Sequence, residues 1–406
     1  MYKSLLDYYN LKKINPVPIN IYSKKKFKYH FLKRANLIEN HLKIPLNSIS
    51  CKSILDIGCN TGENSIVLAH LDANLTLVEA SKNAIKKCLL NFKKFNLLKK
   101  IKSVKNLSIE NYNTNKKFDI IIAEGFLNTL DNREKILEKL FSFLKKDGKI
   151  IINFDCLYGG FLELYKSCLF LRICKLKKID LHSESAFKLA KKLFLKSFKQ
   201  LNPSRNFEAW FKDQLVNPYA AYVWSHEDLL KIANKNNMIC FSTSPDLYKI
   251  YQQVWYKDIN YYSSTKKINS NFIKSWEKNF FYIMTGKKQI ISKDNFFNFS
   301  GKKYKNFFYI KNSLRASSLA MSKYIKNYPN YEINTNFMFL KKNFFYQKSN
   351  INNKKLFNEM FSNMNLLNST KDYNKLIQSF LKSKILQYSW GTLLHYVVFV
   401  NNKRNT

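Results

Sequence analysis

The sequence predicts an α/β protein built on a doubly wound, mostly parallel sheet, with a helix before the sheet and an α+β extension after it. Between residues 53 and 154, short apolar segments alternate with polar segments of helical spacing, which is typical of βαβ units. After Asp155 the alternation ends, although aromatic residues remain frequent enough for an ordered structure. These two observations set the fold class.

Five short apolar segments have the length and composition of buried strands. Their predicted bounds are Ser53–Ile57, Leu75–Val78, Ile101–Val104, Asp119–Ala123 and Lys149–Phe154. The helices between them are predicted to begin near Gly62, Asn83 and Arg133. Gly148, between the last helix and the last strand, is predicted to be a left-handed C-cap.

The segments around this sheet are predicted to be mainly helical. Apolar residues at helical spacing indicate a helix over Phe27–Leu42, and His182–Leu201 is a basic amphipathic stretch. The apolar run Cys156–Cys174 is interrupted by charged residues and is therefore predicted to be a buried or amphipathic helix. Near the end of the chain, L-H-Y-V-V-F-V at 394–400 is predicted to be a strand.

The charge of the chain is strongly positive. Lys and Arg number 69 against 28 Asp and Glu, which gives a formal net charge of +41 and is common in proteins that bind nucleic acid or anionic surfaces. Only six of the cations are Arg, however, and Arg is the residue that binds phosphate and guanine bidentately. We therefore expect the lysines to form a solvated shell over all faces, and nucleic acid is not the favoured partner.

The sequence is predicted to be that of a cytoplasmic protein. It has no run of about 18 apolar residues and no apolar segment of signal-peptide type at residues 1–10. Its seven Cys are irregularly spaced and contain no C-x-x-C pair, so neither a disulfide framework nor a zinc site is predicted.

The segment S-I-L-D-I-G-C-N-T-G-E-N-S, from Ser53 to Ser65, joins a buried strand to a helix through a glycine-containing loop. Gly58 and Gly62 allow the backbone to approach a ligand, and the helix N-terminus offers free N–H groups. Asp56 is predicted either to accept a hydrogen bond from a ligand ammonium or to brace the loop. The next strand ends at Glu79, where an acidic side chain in this fold faces the hydroxyls of a ribose.

Four segments in this region resemble the class I S-adenosylmethionine-dependent methyltransferase family, whose domain is Rossmann-like. L-D-I-G-C-N-T-G is similar to the first motif of that family, and L-V-E-A-S to its second. F-D-I-I-I-A-E-G-F-L-N-T-L and L-K-K-D-G-K-I-I-I-N-F are similar to its fourth and fifth strand regions. One position departs from the family pattern, because Asn60 replaces the middle glycine of the loop. Asn tolerates the left-handed conformation, so we expect the loop to survive.

The resemblance implies S-adenosyl-L-methionine as the cofactor and implies a set of residues around it. The loop residues would surround the methionine moiety, Glu79 would hold the ribose, Asn106 would lie near the adenine, and Glu124 and Gly125 would flank the sulfonium. The implied cofactor-binding residues are Asp56, Gly58, Asn60, Gly62, Glu79, Asn106, Glu124 and Gly125.

A second resemblance concerns the flanking segments. K-Y-H-F-L-K-R-A-N-L-I-E-N-H-L-K-I-P, W-F-K-D-Q-L-V-N-P, S-T-S-P-D-L-Y and V-W-Y-K-D are similar to parts of bacterial methyltransferases associated with surface polysaccharide and secondary-metabolite loci. It implies a small-molecule or glycan-type acceptor. The predicted division is then a basic helical segment at 1–50, the cofactor domain at 51–155, a mainly helical acceptor or lid region at 156–290 and a C-terminal extension at 291–406.

Methyl transfer from a sulfonium is an in-line displacement that requires alignment, a base for a hydroxyl acceptor, and no metal. The candidate bases after the fourth strand are Glu124, Asp155, His182, Asp213 and His226, of which Asp155, Asp213 and His226 are predicted to be catalytic. Asp155 directly follows the fifth strand, at the edge where ligands bind in this fold. His226 is predicted to be the first residue of a helix.

The leading hypothesis is therefore an S-adenosylmethionine-dependent methyltransferase that acts on an oxygen of a small molecule or glycan precursor. An amino-methylating DNA enzyme is excluded because A-E-G-F replaces the required tetrad, and a cytosine-C5 enzyme because no Cys follows Pro. The alternatives are an RNA methyltransferase that uses its lysines to bind phosphates, and a non-catalytic binding module of the same fold. The sequence does not indicate an oligomeric state.

Overall fold

A computed structural model of the chain describes residues 4–12, 19–201, 206–220, 223–246, 282–286, 303–330 and 351–402. The chain divides into two compact units. The sheet unit comprises Met1–Phe154, His226–Phe272 and His395–Thr406, and the helical unit comprises Asp155–Ser225 and Ile273–Leu394. The chain thus leaves the sheet unit twice and returns to it twice. The predicted division at residues 50, 155 and 290 stays a prediction.

The described residues of the sheet unit form a seven-stranded sheet in the order β3-β2-β1-β4-β5-β7-β6. Adjacent strands from β3 to β5 are parallel, and β6 and β7 are antiparallel to each other. The order reverses direction between β1 and β4, which is the arrangement of a doubly wound α/β fold. The strand bounds are β1 Ser53–Ile57, β2 Asn74–Val78, β3 Ile101–Lys105, β4 Phe118–Ala123, β5 Leu144–Asp155, β6 Met238–Ser244 and β7 Leu394–Asn401.

The helices of the sheet unit confirm the predicted alternation of strands and helices. The three helices that were predicted between strands are all present, as α3, α4 and α5. The helix α2 covers most of the helix that was predicted before the sheet. The bounds are α1 Leu5–Lys12, α2 Lys24–Asn36, α3 Glu63–His70, α4 Lys82–Lys94 and α5 Arg133–Ser142, with α9 His226–Lys235 later in the chain. The helix predicted to begin at His226 therefore begins there.

The main core of the sheet unit lies between these helices and the sheet. Ile54 in β1, Leu75 and Leu77 in β2 and Ile120 in β4 are each at most 5% exposed and belong to one apolar cluster. Parallel strands covered by helices bury both faces, so their sequences are almost continuously apolar rather than alternating. That pattern explains why the predicted bounds of β1 to β4 agree with the structure to within one residue, whereas β5 begins five residues before its predicted start.

The prediction that Gly148 is a left-handed C-cap is wrong. Gly148 lies within β5, has no positive φ, and belongs to an irregular section where the β4–β5 register shifts. A side chain there would lie 2.9 Å from the carbonyl oxygen of Phe118, so a glycine is required by close approach of the backbone. The side-chain amide of Asn401 in β7 donates to the carbonyls of Lys145 and Lys146, so these two carbonyls of the irregular section have hydrogen-bond partners.

The strand predicted at 394–400 is confirmed as β7, and the structure adds its position in the sheet. β7 lies between β5 and β6, and Cys240 of β6 is paired with Phe399 of β7. Most of the S-T-S-P-D-L-Y motif lies on β6 or just after it, and the residues 254–258 of the V-W-Y-K-D motif lie outside the described residues.

The helical unit is organised around α6, Leu157–Lys177, which is buried along almost its whole length. This confirms the buried-helix alternative for the apolar run at 156–174. The amphipathic stretch at 182–201 is α7, Glu184–Gln200. Among the described residues, further α-helices of this unit are α8 Phe207–Trp210, α10 Lys303–Lys326, α11 Ile351–Ser369, α12 Tyr373–Lys382 and α13 Lys384–Tyr388.

One glycine and one lysine of α6 fix the segment 389–393 against this helix. A Cβ at Gly159 would lie 1.9 Å from the carbonyl oxygen of Thr392, so only glycine allows this approach. The ammonium of Lys166 is fully buried, donates to the carbonyl of Ser389 and lies 3.7 Å from the ring centroid of Trp390. Its charge is therefore held by a carbonyl dipole and an aromatic face.

Within the described residues, no helix has the length and apolar composition needed to cross a membrane.

Candidate functional site

The glycine loop after β1 has three residues in the left-handed region. Gly58, Asn60 and Gly62 have φ values of 70°, 48° and 85°. The N–H of Gly58 donates to the carbonyl of Val78 at 2.8 Å, which holds the start of the loop against the end of β2. The left-handed Asn60 confirms that asparagine can replace the middle glycine of this loop.

Gly62 lets the loop pass directly over α4. A Cβ at this position would lie 2.5 Å from the Sγ of Cys88 and 3.2 Å from the ring of Phe92. Gly62 is also the N-cap of α3, whose first N–H groups have no earlier helical partner. The glycine is therefore needed both for its backbone conformation and for the absence of a side chain.

Glu79, at the end of β2, holds the glycine loop with its carboxylate. One oxygen accepts a hydrogen bond from the N–H of Asn60 at 3.0 Å, and the other accepts one from the N–H of Ser81 at 2.8 Å. Burial raises the pKa of Glu79. The side chain of Asn106, after β3, donates to the carbonyls of Glu79 and Ala80 at 2.8 and 2.9 Å. Three residues predicted from separate motifs thus meet at the carboxyl ends of β1, β2 and β3.

Asp56 braces the loop from beneath. Its side chain is 5% exposed and accepts a hydrogen bond from the hydroxyl of Ser65 in α3 at 2.6 Å. Burial raises the pKa of Asp56 to about 7, although the Ser65 hydroxyl opposes this shift. The observed contact corresponds to the bracing alternative of the two that the sequence left open.

Glu124, after β4, lies in a buried ion pair that the sequence did not predict. The Nη2 of Arg34 in α2 is 2.8 Å from one carboxylate oxygen, and the Nδ2 of Asn64 in α3 donates to the other at 3.0 Å. Both members of the pair are nearly buried, with side-chain exposures of 10% and 12%. The pair therefore joins the helix before the sheet to the loop after β4.

Gly125 marks open space beside this ion pair. Its φ is 80°, and a Cβ built on it would meet no atom within 4 Å. Its N–H donates to the side-chain oxygen of Asn153 in β5 at 2.6 Å. The backbone here has a conformation that favours glycine, although no neighbouring atom would contact a side chain at this position. Such open space beside a glycine is expected where a ligand approaches the chain.

Sequence reasoning missed four residues of this site: His30, Arg34, Asn64 and Asn153. His30 and Arg34 are four residues apart and lie on the buried face of α2. The Nε2 of His30 and the Nε of Arg34 are buried without a hydrogen-bond partner among the described residues. A local signal for Arg34 existed, because it is the single Arg in a helix with five Lys, and Arg is preferred in buried ion pairs.

The cofactor-binding residues implied by the sequence are therefore brought together, and they fit a ligand with a ribose and an amino-acid end. The site offers a carboxylate at Glu79, an adjacent cation and anion at Arg34 and Glu124, and glycine backbone at Gly58 and Gly125. The two unpartnered nitrogens on α2 would gain partners from a bound carboxylate, which would remove the cost of burying them.

The three predicted catalytic residues lie in different surroundings. Asp155 is half-buried and lines a cleft of the helical unit together with Glu163, Ser167 and Gln214. Asp213 is 6% exposed and belongs to the same unit. His226 belongs to the sheet unit and is 1% exposed. Neither Asp213 nor His226 lines this cleft. Of the other two candidate bases, Glu124 lies in the ion pair described above and His182 is exposed.

His226 forms a buried pair with His395 at the start of β7. A ring nitrogen of each contributes to a hydrogen bond of 3.0 Å, and the ring of Phe154 packs edge-on against His226 at 4.8 Å between centroids. Burial, with a smaller effect of His395, lowers the pKa of His226 well below its usual value. The imidazole of His226 is thus held neutral in the fold.

We expect the stability of the chain to fall as the pH decreases below about 6.5, in part because of this pair. The unfolded chain binds protons at that pH, whereas the folded chain keeps His226 neutral until its lowered pKa is reached. The stability that neutral His226 contributes is therefore present above the unfolded pKa and is lost as the pH falls below it. Each such histidine contributes a slope of at most about 1.4 kcal/mol per pH unit.

Urea titrations at a series of pH values between 8 and 5, on the order of one per half unit, would measure this slope. The variant His226→Gln/His395→Gln should have a smaller slope than the natural chain, whatever its absolute stability. An equal slope in the natural chain and the double variant would contradict the assignment.

Comparison with known proteins identifies the region that contains this site. A family model for a methyltransferase domain matches residues 50–156, about a quarter of the chain. The malonyl-[acyl-carrier protein] O-methyltransferase 2 of Ilyobacter polytropus is 30% identical over a match covering 32% of this chain and 54% of that protein. The ubiquinone biosynthesis O-methyltransferase of Rickettsia typhi is 28% identical over 30% of this chain and 48% of that protein. The chain spans about half the length of these curated relatives.

Solved structures similar to this chain include PKMT2 of Rickettsia typhi and the magnesium protoporphyrin IX methyltransferase of Synechocystis PCC 6803. The first is 19% identical and has a TM-score of 0.37, with 47% of this chain and 39% of that chain covered. The second is 13% identical and has a TM-score of 0.32, with 53% and 71% covered.

Proposed function

We propose that this chain, whose residues 50–156 form a class I S-adenosylmethionine-dependent methyltransferase domain, is a cytoplasmic enzyme that methylates an oxygen of a small-molecule or glycan-type acceptor. One observation carries the proposal. Glu79 at the end of β2 binds the N–H of Asn60 in the glycine loop, so the acid of the second motif and the loop of the first form one site. Both curated relatives are named O-methyltransferases, which supports oxygen as the methylated atom.

S-adenosylmethionine, when bound, supplies an electrophilic methyl group on a good leaving group, so the protein must mainly orient the reactants. We assign the ribose hydroxyls to Glu79, whose two oxygens already accept hydrogen bonds and keep further lone pairs. Asn106, which is fixed by the carbonyls of Glu79 and Ala80, is assigned to the adenine side. Gly58 and Gly62 allow the loop backbone to approach the ligand.

The amino-acid end of the cofactor is zwitterionic, and the pair of Arg34 and Glu124 has the complementary charges side by side. We assign the cofactor carboxylate to Arg34 and His30, whose Nε and Nε2 atoms have no hydrogen-bond partner in the part of the chain that the structure describes, and the ammonium to Glu124. Gly125 would then lie next to the sulfonium. A charged ligand group bound here adds charge-assisted hydrogen bonds to an ion pair that is already desolvated.

For the acceptor we propose Asp155 as the general base. Asp155 is the last residue of β5, two positions after Asn153, which binds Gly125. Its backbone is fixed on both sides, because its carbonyl accepts from the N–H of Trp224 and the N–H of Cys156 donates to Leu393, each at 2.8 Å. Glu163 lines the same cleft and would help to bind the hydroxyl. Asp213 and His226 are kept as alternative bases.

The proposal predicts that donor binding and methyl transfer can be lost separately. Glu79→Ala should weaken S-adenosylmethionine binding by about 1.5–3 kcal/mol, or roughly 10- to 150-fold in Kd, because a charge-assisted hydrogen bond is lost. Asp155→Asn should leave donor affinity unchanged and lower the transfer of labelled methyl groups to fractions of a host lysate. Isothermal calorimetry measures the first effect and scintillation counting the second.

Each variant has a matched control in its own unit. Glu39→Ala changes an exposed glutamate of the sheet unit, and Asp180→Asn an exposed aspartate of the helical unit. Neither should alter binding or transfer. Absence of donor binding by the natural chain would favour the non-catalytic module. Transfer mainly to RNA, with a steep loss on addition of salt, would favour the RNA methyltransferase.

A further inference from the structure

Two adjacent helices of the sheet unit carry many cations and no acidic residue. Lys24–Asn36 (α2) has five Lys and one Arg, and Lys82–Lys94 (α4) has five Lys. The two helices are close, because the rings of Phe27 and Phe95 are 4.8 Å apart between centroids. The scarcity of acids over both helices creates a local positive field that the overall composition of the chain does not require.

Large apolar side chains are exposed among these lysines. Tyr29 and Leu32 of α2 are 59% and 55% exposed, and Leu90 of α4 is 63% exposed. Tyr22, just before α2, is 49% exposed and connects the two helices, because its hydroxyl contacts Asn91 and the ammonium of Lys94 lies 3.7 Å from its ring centroid. We call the exposed residues of α2 and α4, with Tyr22, the basic face.

The exposed apolar residues of α2 are not part of its packing surface. Phe27, His30, Phe31 and Arg34 form the side that faces the rest of the unit. Lys25, Lys28, Tyr29, Leu32 and Lys33 recur at helical spacing on the opposite, exposed side. Because Tyr29 and Leu32 do not stabilise the core, they are available to a partner that favours apolar side chains surrounded by lysines.

We propose that the basic face docks on an anionic lipid surface. Lysines attract anionic headgroups without the bidentate geometry of Arg, and Leu and Tyr are suited to the depth just below the headgroups. Nucleic acid fits less well, because the single Arg of the two helices is buried in the ion pair with Glu124, and because Leu32 and Leu90, two of the exposed apolar side chains, have no ring that could stack on a base. This proposal goes beyond the methyltransferase function and does not depend on it.

Co-sedimentation of the full chain with lipid vesicles tests the proposal without donor or acceptor. The chain should bind vesicles of phosphatidylcholine mixed with phosphatidylglycerol and not vesicles of phosphatidylcholine alone. Lys25→Gln/Lys28→Gln/Lys33→Gln should lower the partition coefficient on the order of 100-fold, from about 5-fold for each lysine. Tyr29→Ser/Leu32→Ser, which keeps every charge, should lower it about 10-fold through the lost apolar burial.

The matched control is Lys192→Gln/Lys196→Gln/Lys199→Gln, which removes the same charge from exposed positions of α7 and should leave the partition coefficient nearly unchanged. Three outcomes would overturn the proposal: an equal loss in this control, no loss in Tyr29→Ser/Leu32→Ser, or tighter binding to a single-stranded oligoribonucleotide than to anionic vesicles at the same salt. All substituted residues are exposed, so circular dichroism should show unchanged folding.

Discussion

Arg34→Met is expected to lower the free energy of unfolding of the chain by about 3–5 kcal/mol, because it leaves the carboxylate of Glu124 buried without its cation. The Arg34 Nη2 is 2.8 Å from Glu124 Oε1, and neither side chain is more than 12% exposed. Removing one partner of a buried ion pair leaves an uncompensated charge, whereas removing both leaves an apolar contact. The double variant Arg34→Met/Glu124→Met should therefore recover most of the lost stability.

Urea titration gives the stability of each variant, and calorimetry gives its affinity for S-adenosylmethionine. Lys33→Met is the matched control, because Lys33 is the exposed neighbour of Arg34 on the same helix. The double variant should be stable and still fail to bind the donor, which would separate the structural role of the pair from its proposed role at the cofactor. A double variant that binds the donor like the natural chain would contradict the assignment of the amino-acid end.

The sequence predicted those parts of the site that depend on local pattern. The strand bounds, the glycine loop and Glu79 follow from buried apolar runs and from the turn that ends each run. Asn60 could be assigned to the loop although it replaces a glycine, because asparagine tolerates the left-handed conformation. The observed φ of Asn60 is 48°, which lies in that region. Each of these features is determined within about twenty residues, the length of one βα unit.

The parts that the sequence did not predict depend on contacts between distant residues. Arg34 reaches Glu124 across 90 positions, and Asn153 binds Gly125 from another strand. The sequence pattern identified β7 as a strand, but it did not predict the position of β7 beside β5, because the apolar pattern of a strand does not specify which strand it pairs with. The error at Gly148 has the same origin, since the irregular start of β5 is satisfied by Asn401, more than 250 residues away.

The second large effect is expected from substitutions of Gly62 and Gly125, because the structure requires glycine at these two positions for different reasons. Gly62 and Gly125 both have positive φ values, of 85° and 80°. A Cβ at Gly62 would lie 2.5 Å from the Sγ of Cys88, whereas one at Gly125 would meet nothing within 4 Å. An alanine at either position therefore adds backbone strain of about 1–2 kcal/mol, and at Gly62 it also overpacks the contact with α4 by about 1–3 kcal/mol.

We therefore expect the same change, glycine to alanine, to lower stability more at Gly62 and to weaken donor binding at Gly125. Gly62→Ala should lower the free energy of unfolding by about 2–5 kcal/mol, and combining it with Cys88→Ala should recover the overpacking part but not the strain. Gly125→Ala should lower it by only about 1–2 kcal/mol and yet weaken donor binding strongly, because its Cβ enters the space assigned to the ligand. Urea titration and calorimetry on the same samples measure both quantities. If Gly125→Ala bound S-adenosylmethionine as tightly as the natural chain, the open space beside Gly125 would not be the cofactor site, since a ligand in contact with that backbone cannot also accommodate the added methyl group.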